Sequence, residues 1–160
     1  MTLGASVFDP GFEIGGLDAG RAAMVRRLLP EFEALVARRR ETAGQLTAGL
    51  RGLPGLILPA PRSGIQSSWL RFPAIFEDAG DRDAALYRLT TKGLGASTMY
   101  PVPVHKIPQA AEMVRGDFGP FPGAEKIARG LVTLPTHGAV RRRHGDEIIK
   151  IVRETLGAGT

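Results

Sequence analysis

Apolar residues recur at steps of three and four along the first third of the chain, from Leu17 to Leu50. This spacing places them on one face of an α-helix. The apolar positions are Leu17, Met24, Val25, Leu28, Phe32, Leu35, Val36, Ala43, Leu46 and Leu50. Pro30 lacks a backbone N–H and crowds the preceding turn, so the pattern predicts a kink or two abutting helices near it. The glycines and proline of residues 52–55 end this helical segment.

Beyond residue 55, short β-prone runs alternate with turn-rich stretches and shorter helical patterns. The predicted strands cover residues 56–58, 67–76, 96–100 and 131–134. The predicted helices cover residues 81–92, 108–115, 120–130 and 145–156. Together they predict an α+β fold, with a long N-terminal helix and a small, mainly antiparallel sheet that carries helices on one face. We expect an N-terminal leader over residues 1–16, one domain over 17–156 and a frayed tail over 157–160.

The composition is typical of a soluble globular domain. The chain has 160 residues, of which 43% are hydrophobic and 23% charged, and this is enough to bury one core without a metal or a disulfide. It has no cysteine, which excludes a disulfide framework and a thiolate metal site. No apolar run approaches the roughly 18 residues of a membrane span, and the first residues lack a basic and apolar leader pattern. We therefore expect a cytoplasmic protein with no membrane partner.

The net charge of +5 comes mostly from arginine, since the chain has only four lysines. Arginine clusters lie at residues 26–27, 38–40 and 141–143, and such clusters can bind nucleic acid or phosphorylated ligands. Acidic residues are interleaved with them, aromatic residues are few, and no nucleic-acid motif accompanies them. We interpret the clusters as solvated surface and expect no nucleic-acid partner. A basic nucleic-acid binder is the weaker alternative.

The stretch from Met99 to Pro108 carries the candidate chemistry. Its prolines fix an extended path, and Tyr100, His105 and Lys106 project from it as polar groups that could meet an anionic ligand. A histidine can also exchange protons near neutral pH. The alternative interpretation is a proline-stiffened connection whose polar side chains face water.

The other two histidines point to no site of their own. His137 follows a predicted strand and is interpreted as part of a turn, and His144 lies in a basic run before the last helix, where we expect it to be solvated. None of the three histidines has a histidine partner four residues away or a carboxylate at metal-ligand spacing. The pattern therefore predicts no zinc or iron site.

Three segments share their order and spacing with a known family. The first is the helix that starts at Leu17 and ends in Leu-Val-Ala-Arg-Arg-Arg-Glu-Thr-Ala at residues 35–43. The second is residues 95–105, which contain Tyr-Pro-Val-Pro-Val-His. The third is Phe-Pro-Gly-Ala-Glu-Lys at 121–126, followed by Leu-Pro-Thr-His at 134–137. In this order they resemble the C-terminal part of the DegT/DnrJ/StrS aminotransferases, over about residues 12–156.

The resemblance implies the small domain of an enzyme with the aspartate-aminotransferase fold, which uses pyridoxal phosphate (PLP) to aminate nucleotide-linked keto-sugars. In that family a large N-terminal domain supplies the aldimine lysine, the aspartate on the pyridine nitrogen and most of the phosphate cup. None of the four lysines here stands in the family's lysine setting. The positions are Lys92, Lys106, Lys126 and Lys150. We therefore expect no catalytic or cofactor-binding residue in this chain, which alone neither binds PLP nor transaminates.

The same resemblance implies how the chain would work in a complete enzyme. The small domain would close over a nucleotide-sugar substrate, with Tyr100, His105 and Lys106 as the candidate substrate-binding residues. The chain would be a gene fragment or half of a split enzyme, with a large-domain partner chain or a second copy of itself as its partner. The alternative is a stand-alone interaction module without catalysis, in which the former domain interface binds another protein or self-associates.

One local departure from the family lies ahead of the long helix. Many members have an Asn-Tyr-Arg-Met-like segment there, whose polar residues face a neighbouring subunit's cofactor phosphate or substrate. This chain reads Gly-Phe-Glu-Ile at residues 11–14. The departure implies a divergent branch in which that phosphate contact is lost.

Overall fold

The computed structural model describes residues 15–61, 63–108 and 119–157. The predicted long helix is two α-helices joined by a 3-10 turn. Helix α1 spans Ala19–Leu28, the turn spans Leu29–Glu31, and helix α2 spans Phe32–Leu50. Pro30 lies in the turn, where its missing N–H costs no helical hydrogen bond. The interruption predicted from this proline is confirmed.

The rest of the described chain forms a small sheet and three more α-helices. The elements are β1 (Leu56–Ile57), β2 (Arg71–Phe76), α3 (Ala79–Thr91), α4 (Pro122–Gly130), β3 (Leu131–Pro135) and α5 (Arg142–Gly157). A second 3-10 turn spans Val104–Lys106. The strands lie in the order β1-β2-β3, and both neighbouring pairs are antiparallel. The α+β fold with a small antiparallel sheet is confirmed.

Two of the predicted strands are wrong in extent. Residues 67–70 lie outside β2, and the strand predicted over 96–100 is a single bridge between Ser97 and Thr133. The φ of Tyr100 is 59°, a left-handed value that lies outside the extended region of a strand. Pro101 follows it and has no N–H to donate to a ladder.

Helix boundaries shift by two or three residues from those predicted. Helix α3 begins at Ala79 because the Asp78 side chain caps it, accepting a hydrogen bond from the Asp81 N–H at 2.9 Å. Helix α4 begins at Pro122, a residue favoured in a first helical turn. Three predicted segments lie mostly outside the described residues: the leader predicted over 1–16, the helix predicted over 108–115 and the tail predicted over 157–160.

The core lies between one face of the sheet and the helices α2, α3 and α5. Along β2 every second residue is buried, and all five residues of β3 are buried. Helix α5 contacts both α2 and α3 and contributes Ile148, Ile151 and Val152 to the core. Helix α1 buries none of its residues. The packed part of the domain therefore begins within α2.

A proline occupies the central strand without breaking its ladder. Pro73 lies opposite Thr133 of β3. The N–H and C=O of Thr133 both bond to Ser97 instead, at 2.8 and 3.1 Å. Pro73 therefore stands at a pair that exchanges no hydrogen bonds between β2 and β3, where its missing N–H is tolerated. The Ser97 bridge thus extends the sheet beyond β3 and fixes the start of the following loop.

Within the described parts of the chain, no helix is long and apolar enough to cross a bilayer.

Candidate functional site

The loop from Ser97 to Pro108 is ordered by its own backbone. Pro101 and Pro103 restrict φ, and the 3-10 turn that follows closes with hydrogen bonds from Lys106 N–H to Pro103 C=O at 2.9 Å and from Ile107 N–H to Val104 C=O at 3.1 Å. These bonds place the side chains of the turn on a short rigid segment.

Tyr100 sits at the strained point of this loop. Its left-handed φ is uncommon for a residue with a side chain, and such strain is concentrated at functional segments. The side chain is 69% exposed. The tyrosine therefore presents its phenol to the surroundings from a fixed backbone.

His105 and Lys106 meet at the carboxylate of Glu125. Lys106 Nζ lies 3.0 Å and His105 Nε2 lies 3.7 Å from the same oxygen, Glu125 Oε1. The imidazole also packs against the Phe121 ring, with 5.0 Å between ring centroids. The His105 side chain is 20% exposed, whereas that of Lys106 is 53% exposed. The histidine is thus held on two sides and the lysine on one.

The charges of this cluster determine the protonation of its carboxyl group. The hydrogen bond from Lys106, followed by its positive charge, holds the pKa of Glu125 below its usual range, and His105 adds to the effect. Glu125 also lies in the first turn of α4, where the helix dipole favours a negative charge. The carboxylate is therefore ionised at neutral pH.

The structure brings together two of the three predicted substrate-binding residues. His105 and Lys106 share a partner, while no contact recorded among the described residues joins Tyr100 to that pair. Sequence reasoning missed Glu125 and Phe121 as their partners, although it singled out residues 121–126. An acidic residue in the first turn of a helix that starts at a proline was the available signal.

Arg71 anchors the start of the loop to the sheet. Its Nε donates to Thr133 Oγ1 at 2.7 Å, and its Nη2 donates to the C=O groups of Gly95 and Thr133 at 2.6 and 2.7 Å. Burial lowers the pKa of the Arg71 guanidinium from its ordinary value. Sequence reasoning did not select this arginine, since nothing along the chain links it to residues 95–97.

The other two histidines line a cavity that none of Tyr100, His105 and Lys106 borders. His137 and His144 border a volume of about 440 Å³ together with Lys92, Arg143 and Glu147. Lys92 Nζ lies 2.8 Å from Glu147 Oε1, so the charges of that pair compensate each other. Among the residues that the structure describes, no three histidine or acidic side chains are grouped so as to hold a metal ion.

The middle arginine cluster supports the fold. Arg39 Nη1 donates to the Leu70 C=O at 2.9 Å, and Arg40 Nε donates to the Ser67 C=O at 3.1 Å. Both arginines thereby tie α2 to the segment that precedes β2. Each guanidinium group therefore donates a hydrogen bond to a backbone carbonyl of the same domain.

The four lysines do not fit the aldimine role of a PLP enzyme. Such a lysine must lose its proton near neutral pH, which requires burial or a neighbouring cation. Here each side chain is more than half exposed and lies against a carboxylate. The pairs are Lys92–Glu147 at 2.8 Å, Lys106–Glu125 at 3.0 Å, Lys126–Glu77 at 3.5 Å and Lys150–Glu154 at 3.8 Å.

A second candidate surface is the apolar face of α1 and the start of α2. Its large side chains are more than two-fifths exposed, and Met24 reaches 64%. We call this set the N-terminal apolar stripe. It consists of Leu17, Met24, Val25, Leu28, Leu29, Phe32 and Leu35. Many large apolar side chains exposed along one segment are more typical of an interaction site than of a solvated helix.

The sequence of the chain is similar to those of known proteins. The sequence profile of the DegT/DnrJ/EryC1/StrS aminotransferase family matches residues 11–153. The chain is 33% identical to the dTDP-3-amino-3,4,6-trideoxy-alpha-D-glucose transaminase of Streptomyces venezuelae, over 86% of this chain and 35% of that protein. It is 32% identical to the dTDP-4-dehydro-2,3,6-trideoxy-D-glucose 4-aminotransferase of Saccharopolyspora spinosa, over 94% of this chain and 38% of that protein.

The fold agrees with the sequence match. The crystal structure of S. venezuelae DesV in complex with a ketimine intermediate superposes with a TM-score of 0.78 at 33% identity, covering 88% of this chain and 37% of that one. The aminotransferase TlmJ from Streptoalloteichus hindustanus superposes with a TM-score of 0.75 at 32% identity, covering 88% and 36%. The chain therefore spans little more than a third of the length of the relatives that it matches.

Proposed function

The chain belongs to the DegT/DnrJ/EryC1/StrS aminotransferase family, and from this we propose that it acts as the C-terminal small domain of a PLP-dependent aminotransferase for nucleotide-linked keto-sugars. The observation that carries the proposal is the superposition of most of this chain onto about a third of S. venezuelae DesV, which was solved in complex with a ketimine intermediate. The names of two relatives, both transaminases of dTDP-linked sugars, support the substrate class.

In this proposal, the lysine that binds PLP belongs to a large domain, either on the same chain or on a partner chain. PLP supplies the electron sink of transamination, and the protein must supply a Schiff-base lysine. The exposed, carboxylate-paired lysines of the small domain do not suit that role. The small domain alone is then inactive, and its contribution is to bind and orient the sugar.

The loop from Ser97 to Pro108 is the proposed contact with the substrate. Tyr100 donates a hydrogen bond from its exposed phenol, and His105 offers a polar ring edge from a turn that Phe121 and Glu125 hold in place. Lys106 contributes less directly, since its charge is already paired with Glu125. Closing a rigid loop over a ligand excludes water and fixes the reacting geometry.

A chimera tests this proposal. The chain would replace the corresponding third of the S. venezuelae relative, and transamination of a dTDP-linked keto-sugar would be measured. We expect activity, and we expect Tyr100→Phe and His105→Asn each to lower kcat/KM by about tenfold, the size of one lost hydrogen bond to a bound ligand. Tyr87→Phe is the matched control, because Tyr87 is an exposed tyrosine of α3. A folded chimera whose activity is indifferent to Tyr100 and His105 would refute the assigned roles.

A second candidate function is a stand-alone interaction module, and the N-terminal apolar stripe favours it. In this alternative, the exposed face of α1 binds another protein or a second copy of the chain. The two candidates differ in what covers the stripe. A large domain that binds the chain and protects the stripe from solvent exchange supports the first, whereas self-association that a large domain does not displace supports the second.

A further inference from the structure

The inference concerns the orientation and protonation of the His105 ring. Its Nε2 atom faces the Glu125 carboxylate, and the ring lies against Phe121. These two contacts, at 3.7 Å to the carboxylate and 5.0 Å between ring centroids, restrict the rotation of the ring more than either contact alone. Within the described residues, Nδ1 has no recorded hydrogen-bond partner.

The carboxylate selects one of the two neutral forms of that ring. A neutral imidazole carries its proton on one nitrogen and a lone pair on the other, and the partner of one nitrogen decides which is which. An ionised carboxylate accepts hydrogen bonds only. A neutral His105 beside Glu125 is therefore stabilised with its proton on Nε2, and Nδ1 keeps the lone pair.

Lys106 completes the arrangement at the same carboxylate oxygen. Its ammonium group contacts the same oxygen at 3.0 Å. The lysine lowers the pKa of Glu125 further, and an ionised carboxylate is the form that attracts the Nε2 proton.

We propose that Glu125 is a positioning residue that holds the His105 imidazole against Phe121 as its Nε2–H form and leaves Nδ1 as the hydrogen-bond acceptor for a hydroxyl of the bound sugar. The proposal rests on the proposed function for the identity of the ligand. The positioning itself is a property of this chain and is measurable without a large domain or a cofactor.

The first test uses nitrogen NMR of the isolated full chain at about pH 8, above the ordinary titration range of histidine. Three histidines give three assignable rings. In the wild-type chain we expect His105 as the Nε2–H form, with proton contacts between its ring and that of Phe121. An Nδ1–H form of His105, or a ring without contact to Phe121, would overturn the proposal, and neither reading depends on a variant.

Variants at Glu125 sharpen the test. In Glu125→Ala we expect the Nδ1–H fraction of His105 to rise about threefold, the worth of one partly exposed charged contact. Glu125→Gln keeps an acceptor oxygen, so its rise should be smaller. The matched control is Glu77→Ala. It removes the carboxylate that pairs with Lys126, a residue of α4 like Glu125, and it does not alter the contacts of His105. With the backbone amide spectrum unchanged, an unaltered His105 ring in Glu125→Ala would overturn the proposal.

The active chimera gives the functional readout. Glu125→Ala should lower kcat/KM about threefold and should have no further effect when His105 is already asparagine, because the two residues act as one unit. Equal losses in both backgrounds would show that Glu125 acts elsewhere, and the proposal would fall. An inactive chimera whose His105 ring still behaves as expected would count against the proposed function and leave the positioning by Glu125 supported.

Discussion

Helices α1 and α5 both carry large apolar residues, but the two helices differ in how far these residues are buried. The first was predicted from apolar residues at helical spacing, and the second as the terminal helix that follows the last strand. In α5, Ile148, Ile151 and Val152 are buried against α2, α3 and the sheet, whereas every residue of α1 is exposed. Helical periodicity thus predicts that a face is apolar, and the neighbouring elements decide whether it is covered. The uncovered face of α1 is where we place the interface with a large domain.

The largest expected effect is a stability difference between these two helices. Ile148→Ala should lower the free energy of unfolding by about 2–5 kcal/mol, because it opens a cavity in a fully buried position. Leu28→Ala removes a side chain that is 57% exposed, so it should change stability by no more than about 0.5 kcal/mol. Urea denaturation measures both. Equal losses would mean that α1 packs in solution on something that the fold does not provide.

Two glycines of α2 extend the comparison to a single helix. A Cβ at Gly49 would lie 2.4 Å from Ile149 Cδ1, with two more atoms of that side chain within 2.8 Å, whereas a Cβ at Gly44 would meet nothing within 4 Å. Gly49→Ala should therefore cost about 1–3 kcal/mol, and Gly44→Ala should stabilise by about 0.5–1 kcal/mol through helix propensity. Thermal unfolding of the pair checks this. A stabilising Gly49→Ala would show that α2 and α5 are less closely packed than described.

The N-terminal apolar stripe should drive association of the isolated chain. Covering apolar surface is favourable by about 25 cal/mol per Å², and Met24 and Phe32 are 64% and 54% exposed. We expect concentration-dependent self-association in sedimentation, weakened by Met24→Ser combined with Phe32→Ser. The matched control is Ile127→Ser, an exposed apolar residue of α4 outside the stripe. A monomer at high concentration that binds no hydrophobic dye would contradict the account of this face.

The smallest effect concerns the pH dependence of Glu125. Its pKa in the folded chain is lowered chiefly by Lys106, so its contribution to stability is present above the unfolded pKa and is lost as pH falls through the folded pKa. Lys106→Met should move the pKa of Glu125 back towards its ordinary value, and the acid side of the stability profile should flatten slightly. Carboxyl-carbon NMR follows this titration. An unchanged pKa of Glu125 in Lys106→Met would show that Lys106 does not contact this carboxylate in solution.

Much of the fold was predictable, because it depends on local periodicity. The break at Pro30 follows from its missing N–H, and strand β3 follows from a short β-prone run in which Thr133 is the one polar residue. The strand predicted at 96–100 is only the Ser97 bridge, and it would have included Tyr100, whose left-handed backbone its side chain does not favour and the sequence therefore did not reveal.

The sequence predicted the loop of the candidate site but not the residues that contact it. The prolines around residues 100–106 indicated an ordered loop, and the turn at Val104–Lys106 lies within it. The partners of His105 come from helix α4, which is distant in sequence, and only tertiary packing places Glu125 and Phe121 beside the imidazole. The same holds for Arg71, whose three hydrogen bonds reach residues that no spacing rule connects to it.

The most direct test of the central claim asks where PLP is bound. The chain would be incubated with PLP, reduced with borohydride and digested, first alone and then with the large domain of a family member. We predict no stoichiometric label on any lysine of this chain in either experiment, and a label on one large-domain lysine in the second. Stoichiometric labelling of Lys92, Lys106, Lys126 or Lys150 in the isolated chain, with turnover of an amino donor, would contradict the claim that this chain supplies only the small domain.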